Sequence, residues 1–225
     1  MKKAFFSIFA AAAIFAGCSQ SEKGWVINGV VEGIEDGDSV FMHEGDYNDY
    51  GTLISSTVVK DGKFELKGAP MGCKPISLVV NHAGEGIADY SLFVEDNVLS
   101  VVLRPGSDEG TVEGGGENQR LLSEYRETLS KYMDQLNELA PNLNDSTLEE
   151  AKRAEIQQNM DSLSNTLDSV AIKFIIDKMP SEFSNAAFSG PAHFLSKEKI
   201  QPLLDAFAEK QPDASNYKKY LEENK

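Results

Sequence analysis

The side chains of this sequence that could do chemistry are few and widely spaced. Its histidines, His43, His82 and His193, belong to no His-x-x-x-His or His-Glu-x-x-His pattern, so a zinc site would need distant segments to converge. Its cysteines, Cys18 and Cys73, form no Cys-x-x-Cys pair, and no Gly-x-Ser-x-Gly motif is present. We therefore expect no catalytic residue, no metal site and no cofactor.

The polar loop of residues 44–51 is the best candidate for contact with a ligand. Asp46 and Asp49 supply carboxylate oxygens, which Ca²⁺ prefers, and Tyr47 and Tyr50 could stack on a sugar or a peptide. The spacing is not that of an EF-hand, and a solvent-exposed connection between strands would have the same composition. Both interpretations stay open at this point.

Residues 1–17 have the pattern of a lipoprotein signal peptide. Lys2 and Lys3 form a basic start, an apolar core follows, and small residues precede Cys18. The core is too short to cross a bilayer comfortably as a stop-transfer helix. We expect cleavage before Cys18, lipidation of its thiol and a polar tether over residues 18–24. An ordinary signal peptide beside a chance cysteine is the alternative.

The anchor and the charge together predict where the protein acts. A lipoprotein of this kind lies in the cell envelope, and we expect the outer membrane because no Asp follows Cys18. The formal net charge of −15 disfavours nucleic acid and anionic lipid surfaces as partners. Attachment to the membrane would therefore come from acyl chains. With Cys18 lipidated, Cys73 is either buried and inert or able to form a mixed disulfide with another protein.

Residues 25–116 have the pattern of seven or eight short strands. Runs of β-forming residues with a period near two begin at Trp25 and are separated by turn-forming residues. In Lys60-Asp61-Gly62-Lys63, Asp-Gly is a strong signal for a hairpin turn, in which both central residues need positive φ. This spacing of strands predicts an antiparallel sandwich or barrel. Gly114-Gly115-Gly116 would then be a flexible hinge to the next segment.

Residues 117–225 have the pattern of helices. Apolar residues at steps of three and four predict two long helices that pack antiparallel, the first ending before Pro141 and the second near Met179. Shorter helices follow, for which Asn185 and Ser196 are candidate N-caps. We expect the two stripes to bury against each other and against the sheet, with a partner-binding face as the alternative. The stripes are Leu122, Tyr125, Leu129, Tyr132, Leu136 and Leu139, then Leu148, Ile156, Met160, Leu163, Leu167, Val170 and Phe174.

The β-rich segment resembles domain of unknown function 4369. The matching segments are residues 27–31, 36–40, 56–68, 93–97 and 112–114, together with Asn118. The resemblance implies the N-terminal module of Bacteroidetes-type thiol-disulfide interchange lipoproteins, in which helices precede a thioredoxin-like domain. That domain carries Cys-x-x-Cys, whose thiolate attacks disulfides. Because this sequence has no such pair, we expect the module without its enzyme.

The sequence thus predicts an α+β protein, with an N-terminal antiparallel β-sandwich-like domain followed by an α-helical hairpin and short extra helices. We expect a non-catalytic envelope lipoprotein that binds a protein, peptide or glycan, or serves as a scaffold. The alternative is an accessory role in thiol–disulfide exchange beside a separate thioredoxin-like protein. A third hypothesis places a metal-supported or hydrolytic site near His43 and residues 44–49 of the loop.

Overall fold

The computed structural model describes residues 24–45, 51–105, 110–143 and 148–225. Within these residues a sheet domain precedes a set of helices, which confirms the predicted α+β class. The strands are β1 (Trp25–Val31), β2 (Ser39–Glu44), β3 (Leu53–Val58), β4 (Lys63–Gly68), β5 (Cys73–His82), β6 (Glu85–Glu95), β7 (Val98–Leu103) and β8 (Thr111–Gly114). The helices are α1 (Glu117–Leu143), α2 (Glu150–Asp177), α3 (Glu182–Ala187), α4 (Ser189–Phe194), α5 (Lys197–Lys210) and α6 (Ser215–Glu223).

The strands form two four-stranded sheets, in the orders β4-β1-β7-β8 and β3-β2-β5-β6. Alternate residues of both sheets point into one shared apolar core, which includes Ile27, Met42, Leu78, Leu92 and Leu99. The expectation of a wholly antiparallel sandwich was wrong at one place, because β1 and β7 pair in parallel. The chain passes through both sheets between these two strands, so no hairpin fixes their relative direction.

The Asp-Gly turn has the predicted conformation but a different role. Asp61 and Gly62 have φ of 51° and 68°. Lys60 and Lys63 exchange two backbone hydrogen bonds of 2.9 Å, as in a two-residue turn. However, β3 and β4 belong to different sheets, so the turn carries the chain from one sheet to the other.

The two long helices pack antiparallel, as predicted. Lys178, just after α2, places its Nζ 3.1 Å from Oε1 of Glu124, near the start of α1. The predicted end before Pro141 was wrong, because α1 continues to Leu143 with Pro141 inside it. A proline in the last turn removes only one backbone hydrogen bond, so the helix can continue past it to Leu143.

The short helices differ from the prediction at their ends. Ser181, not Asn185, caps α3, since its side chain accepts the N–H of Ser184 at 2.9 Å. Asn185 instead accepts the backbone N–H of Asn216 at 3.0 Å and so ties α3 to α6. Gly190 lies inside α4. Ser196 does occupy the N-cap position of α5.

The helices have an apolar core of their own. Phe188 makes edge-to-face contacts with Phe207, Tyr217 and Tyr220, with the Phe188 and Phe207 ring centroids 4.9 Å apart. A second, smaller cluster of Phe93, Leu121 and Phe183 joins this part to the sheets. Among the described residues, no helix has both the length and the apolar character needed to cross a membrane.

Candidate functional site

Most of the residues predicted to contact a ligand lie outside the described part of the chain. This holds for Cys18 and for Asp46, Tyr47, Asp49 and Tyr50 of the loop. Lipidation at Cys18 and ligand contact at the loop therefore remain predictions.

The three histidines lie in separate parts of the fold. His43 is in β2, His82 ends β5 and His193 is in α4. His82 pairs with Asp38 through its Nδ1, 2.8 Å from the Asp38 Oδ2. In the described ranges no group of three or more His, Cys, Asp or Glu side chains could hold a metal ion.

Cys73 lies where the sheets meet the helices. It starts β5 opposite Glu95 and packs, half-buried, against the cluster of Phe93, Leu121 and Phe183. Burial, together with the negative charges of Glu95 and Glu182, raises the pKa of the Cys73 thiol to about 12. The thiol is therefore protonated at neutral pH, which makes it a weak nucleophile.

The Glu95 carboxylate caps the N-terminus of α1 from the end of β6. Its Oε2 accepts the backbone N–H of Gln119 at 3.2 Å, and its Oε1 accepts the Asn118 side-chain amide at 2.9 Å. Unpaired N–H groups and the helix dipole both favour a carboxylate at this position. A strand of the sheet thus supplies the cap that the helix sequence itself lacks.

Asn118 and Gln119 extend this network to two further backbone groups. Gln119 is 1% exposed, and its Oε1 accepts the backbone N–H of Phe93 at 2.8 Å. The Oδ1 of Asn118 accepts the backbone N–H of Phe183, at the start of α3, at 2.9 Å. We call Glu95, Asn118 and Gln119 the junction network, because they link β6, α1 and α3.

Two of the three glycines before α1, Gly115 and Gly116, pack tightly against this network. A Cβ on Gly115 would lie 2.8 Å from the Gln119 Cβ, and one on Gly116 would lie 2.5 Å from the Glu95 Cδ. Flexibility at this connection stays a prediction, and the structure shows the connection closely packed. The glycines allow a close approach of the helix to the strand.

A known protein family matches the part of the chain that contains the junction network. The model described as Domain of unknown function (DUF4369) matches residues 25–121. We call residues 25–121, which this model matches, the DUF4369 domain. The match covers both sheets and ends at Leu121, the buried residue of α1 that packs on Phe93 and Phe183. The DUF4369 domain thus includes the first turn of α1 and the whole junction network. No curated protein matches the chain.

Beyond the DUF4369 domain, the two long helices form an arm with no buried residue. We define the helical arm as residues 127–143 of α1 and 150–168 of α2. Its apolar stripes are only half-buried, so the expected burial against the sheet does not extend into the arm. The half-buried residues of the stripes are Leu129, Tyr132, Leu136, Leu139, Ile156, Met160, Leu163 and Leu167. Met133 is 45% exposed.

Sequence reasoning missed the junction network. Glu95 and Asn118 belong to the segments that carry the family resemblance, but nothing local shows that they meet. The available signal was the start of α1, where Glu117, Asn118 and Gln119 follow glycines and no Ser, Thr or Asp stands before them to cap the helix. A helix without a local cap indicates that its cap comes from elsewhere in the fold.

Proposed function

We propose that this protein is a non-catalytic binding module of the cell envelope, anchored through lipid on Cys18, whose helical arm binds a partner protein. One observation carries the proposal: none of the described residues of the arm is buried, although its apolar stripes follow helical spacing. Lipoprotein processing and outer-membrane location rest on the sequence pattern of residues 1–18.

The arm has too few helices to bury its own stripes. The first helix, α1, has 27 residues and is about 40 Å long. Two paired helices bury only the side of each that faces the other, and helical stability in proteins comes mostly from packing of the apolar face. A third helix laid along the arm would cover the half-exposed Leu129 and Leu136 and the exposed Met133.

Charge indicates which kind of helix would fit. The arm carries seven acidic and three basic side chains. The partner segment is therefore an amphipathic helix with an apolar face flanked by Lys or Arg. Such complementary charge mainly adds to the rate of association and to specificity.

The junction network gives the arm a fixed base. Glu95 holds the first turn of α1 against β6, and Asn118 holds α3 against the same point. Arg126 adds a contact at the last turn before the arm, since its Nη2 donates to the Ser91 backbone oxygen at 2.8 Å. A partner bound to the arm would thus be held in a fixed orientation relative to the DUF4369 domain.

A direct role in thiol–disulfide exchange has less support. The raised pKa of Cys73 leaves little thiolate at neutral pH, and half-burial limits access to the sulfur. An accessory role would then consist of docking to a separate redox protein, and the arm is the surface that would do so.

Site-specific photo-cross-linking in the native envelope tests the proposal. A photoreactive amino acid is placed at Met133 on the arm and, as a control of similar exposure, at Leu221 on α6; the two residues are 45% and 42% exposed. The proposal predicts one dominant cross-linked protein at position 133 that is absent at 221. The same products at both positions, or none at 133, would contradict it.

A further inference from the structure

The edge of the sheet at β3 differs from the other sheet edges in the described part of the chain. Edge strands expose unpaired backbone groups, so proteins normally shield them with charge, shortness or a covering element. Here β4 carries Lys63, Glu65 and Lys67, while β8 has four residues. The β6 edge is covered by α1, whose Arg126 lies 4.5 Å over the Tyr90 ring and bonds the Ser91 carbonyl.

Among the described residues, none of these three protections is present on β3, whose pairing with β2 shifts register at Met42 and His43. Leu53–Val58 contains no charged residue and no proline. Leu53 is 49% exposed and Val58 is 57% exposed. An uncharged edge strand with exposed apolar side chains is the kind of surface to which another strand adds.

The backbone register shows which groups of β3 face outward. The backbone N–H of Val59 donates to the backbone oxygen of Asp38 at 2.7 Å, and the backbone N–H of Glu44 donates to the backbone oxygen of Thr52 at 3.0 Å. Backbone groups in an antiparallel pair point alternately towards and away from the partner strand. Counting from Val59 along the pairing of β2 with β3, the N–H and C=O groups of Ser56 and Val58 point away from β2.

Charge at one end of this edge distinguishes between ligands. Asp61 donates its backbone N–H to the Asp36 Oδ1 at 2.7 Å, so both carboxylates lie near the end of β3 with Asp38. Lys60 and His82, which pairs with Asp38, offset part of this charge. A strand with a basic residue at this end is therefore favoured over one with an acidic residue. A second copy of the protein is disfavoured as the added strand by the net charge of −15.

We propose that the outer edge of β3 is a strand-addition site for an extended segment of another protein. The segment is uncharged along the strand and ends in a Lys or Arg beside Asp36 and Asp61. The segment would extend the β3-β2-β5-β6 sheet by one strand. Main-chain hydrogen bonds to Ser56 and Val58 would supply affinity, and the apolar contact at Val58 together with the basic residue would supply specificity. This site lies on the DUF4369 domain and does not depend on binding at the helical arm.

A random peptide library displayed on phage, selected against the full-length protein in detergent, tests the site. Val58→Lys places a charge on the outer edge without touching the core, and Ser56→Pro removes an outward N–H while leaving the pairing with β2. Val98→Lys is the control, because Val98 is 58% exposed on the other sheet.

The site predicts enriched peptides with an uncharged stretch of about five residues and a terminal Lys or Arg. Val58→Lys and Ser56→Pro should each weaken a selected peptide about tenfold or more, whereas Val98→Lys and Met133→Glu leave its affinity unchanged. Enrichment of no such peptide, equal binding by Val58→Lys, or a dimer of the protein that Val58→Lys disrupts would each overturn the proposal.

Discussion

The carboxylate of Glu95, at the end of β6, accepts the backbone N–H of Gln119 in the first turn of α1 at 3.2 Å. Glu95 and Gln119 thus tie the last residue of a strand to the start of a helix that extends about 40 Å. The side chain of Gln119 returns to the Phe93 N–H of the same strand. Because a side chain of β6 bonds to α1 and a side chain of α1 bonds to β6, we expect the sheets and the base of the helices to unfold together.

Removal of the Glu95 carboxylate tests this coupling. Glu95→Ala should lower the free energy of unfolding by about 1–2 kcal/mol, because it leaves the N–H groups of the first turn of α1 without their cap. Urea denaturation measures the change. Glu65→Ala is the control, since its carboxylate is exposed and pairs with Lys67 on the same strand. Equal stability of the two variants would contradict a role for Glu95 in capping.

The packed glycines give a second prediction. Gly116→Ala should destabilise the protein by about 1–3 kcal/mol, because its Cβ would overlap the Glu95 carboxylate. Gly190→Ala is the matched control, since nothing lies within 4 Å of a Cβ there and the residue is in α4. The control should be neutral or slightly stabilising, as alanine favours a helix. If Gly116→Ala is as stable as this control, the segment has more freedom than the packing indicates.

Cys73 should react slowly with thiol reagents. With its pKa raised to about 12, the folded protein has little thiolate at pH 8, whereas the unfolded chain titrates near its ordinary value of 9.0. A colorimetric thiol reagent at pH 8 should modify the native protein much more slowly than the protein in urea. Rapid modification of the native protein would restore a redox role for this thiol.

The same shift makes stability depend on alkaline pH. Because the folded pKa of Cys73 is the higher one, its contribution is fully present below the unfolded pKa. It is lost as pH rises from about 9 towards 12. Cys73→Ala should flatten the decline of the unfolding free energy over this window. An unchanged decline of the unfolding free energy in Cys73→Ala would show that other groups cause it.

His82 gives a prediction at neutral pH. The hydrogen bond and the charge of Asp38 raise the pKa of His82 above its ordinary value of 6.5. Asp38→Asn should bring the pKa of His82 back towards that value, as measured by the imidazole proton shifts in an NMR titration. The contribution of this pair to stability is present at low pH and is lost as pH rises through the folded pKa. An unchanged titration in Asp38→Asn would show that the pair does not form in solution.

Local patterns predicted the elements because strands and helices are largely encoded by neighbouring residues. The alternation from Trp25 and the three-and-four spacing from Leu122 gave the strands and the long helices. Asp61 and Gly62 gave the turn, since only such residues readily take positive φ in succession. The class of the fold followed from the order of these elements.

Contacts between distant segments were not accessible in this way. The parallel pairing of β1 with β7 depends on how two sheets assemble, which periodicity does not encode. Asn185 was predicted as a cap from its type, but Ser181 lies where its hydroxyl reaches the Ser184 N–H. The capping of α1 by Glu95 joins residues 24 positions apart, so neither segment alone contains it.

The same reasoning limits the candidate site. Spacing predicted the apolar stripes of the long helices. Only the fold shows that these stripes extend beyond the DUF4369 domain and are half-buried there. The uncharged run of β3 was visible in the sequence. Its position at the edge of a sheet was not, because edge and centre strands can have similar sequences.

The most direct test of the account measures how tightly the partner protein that is cross-linked at position 133 binds variants of this protein with reversed charge. Glu138→Lys on the arm should weaken binding about tenfold at low salt, while Glu222→Lys on α6 should leave binding within about twofold of the wild type. Both glutamates are exposed, so neither change disturbs the core. Equal binding of the partner by the wild type and Glu138→Lys would contradict the conclusion that the helical arm is the binding surface.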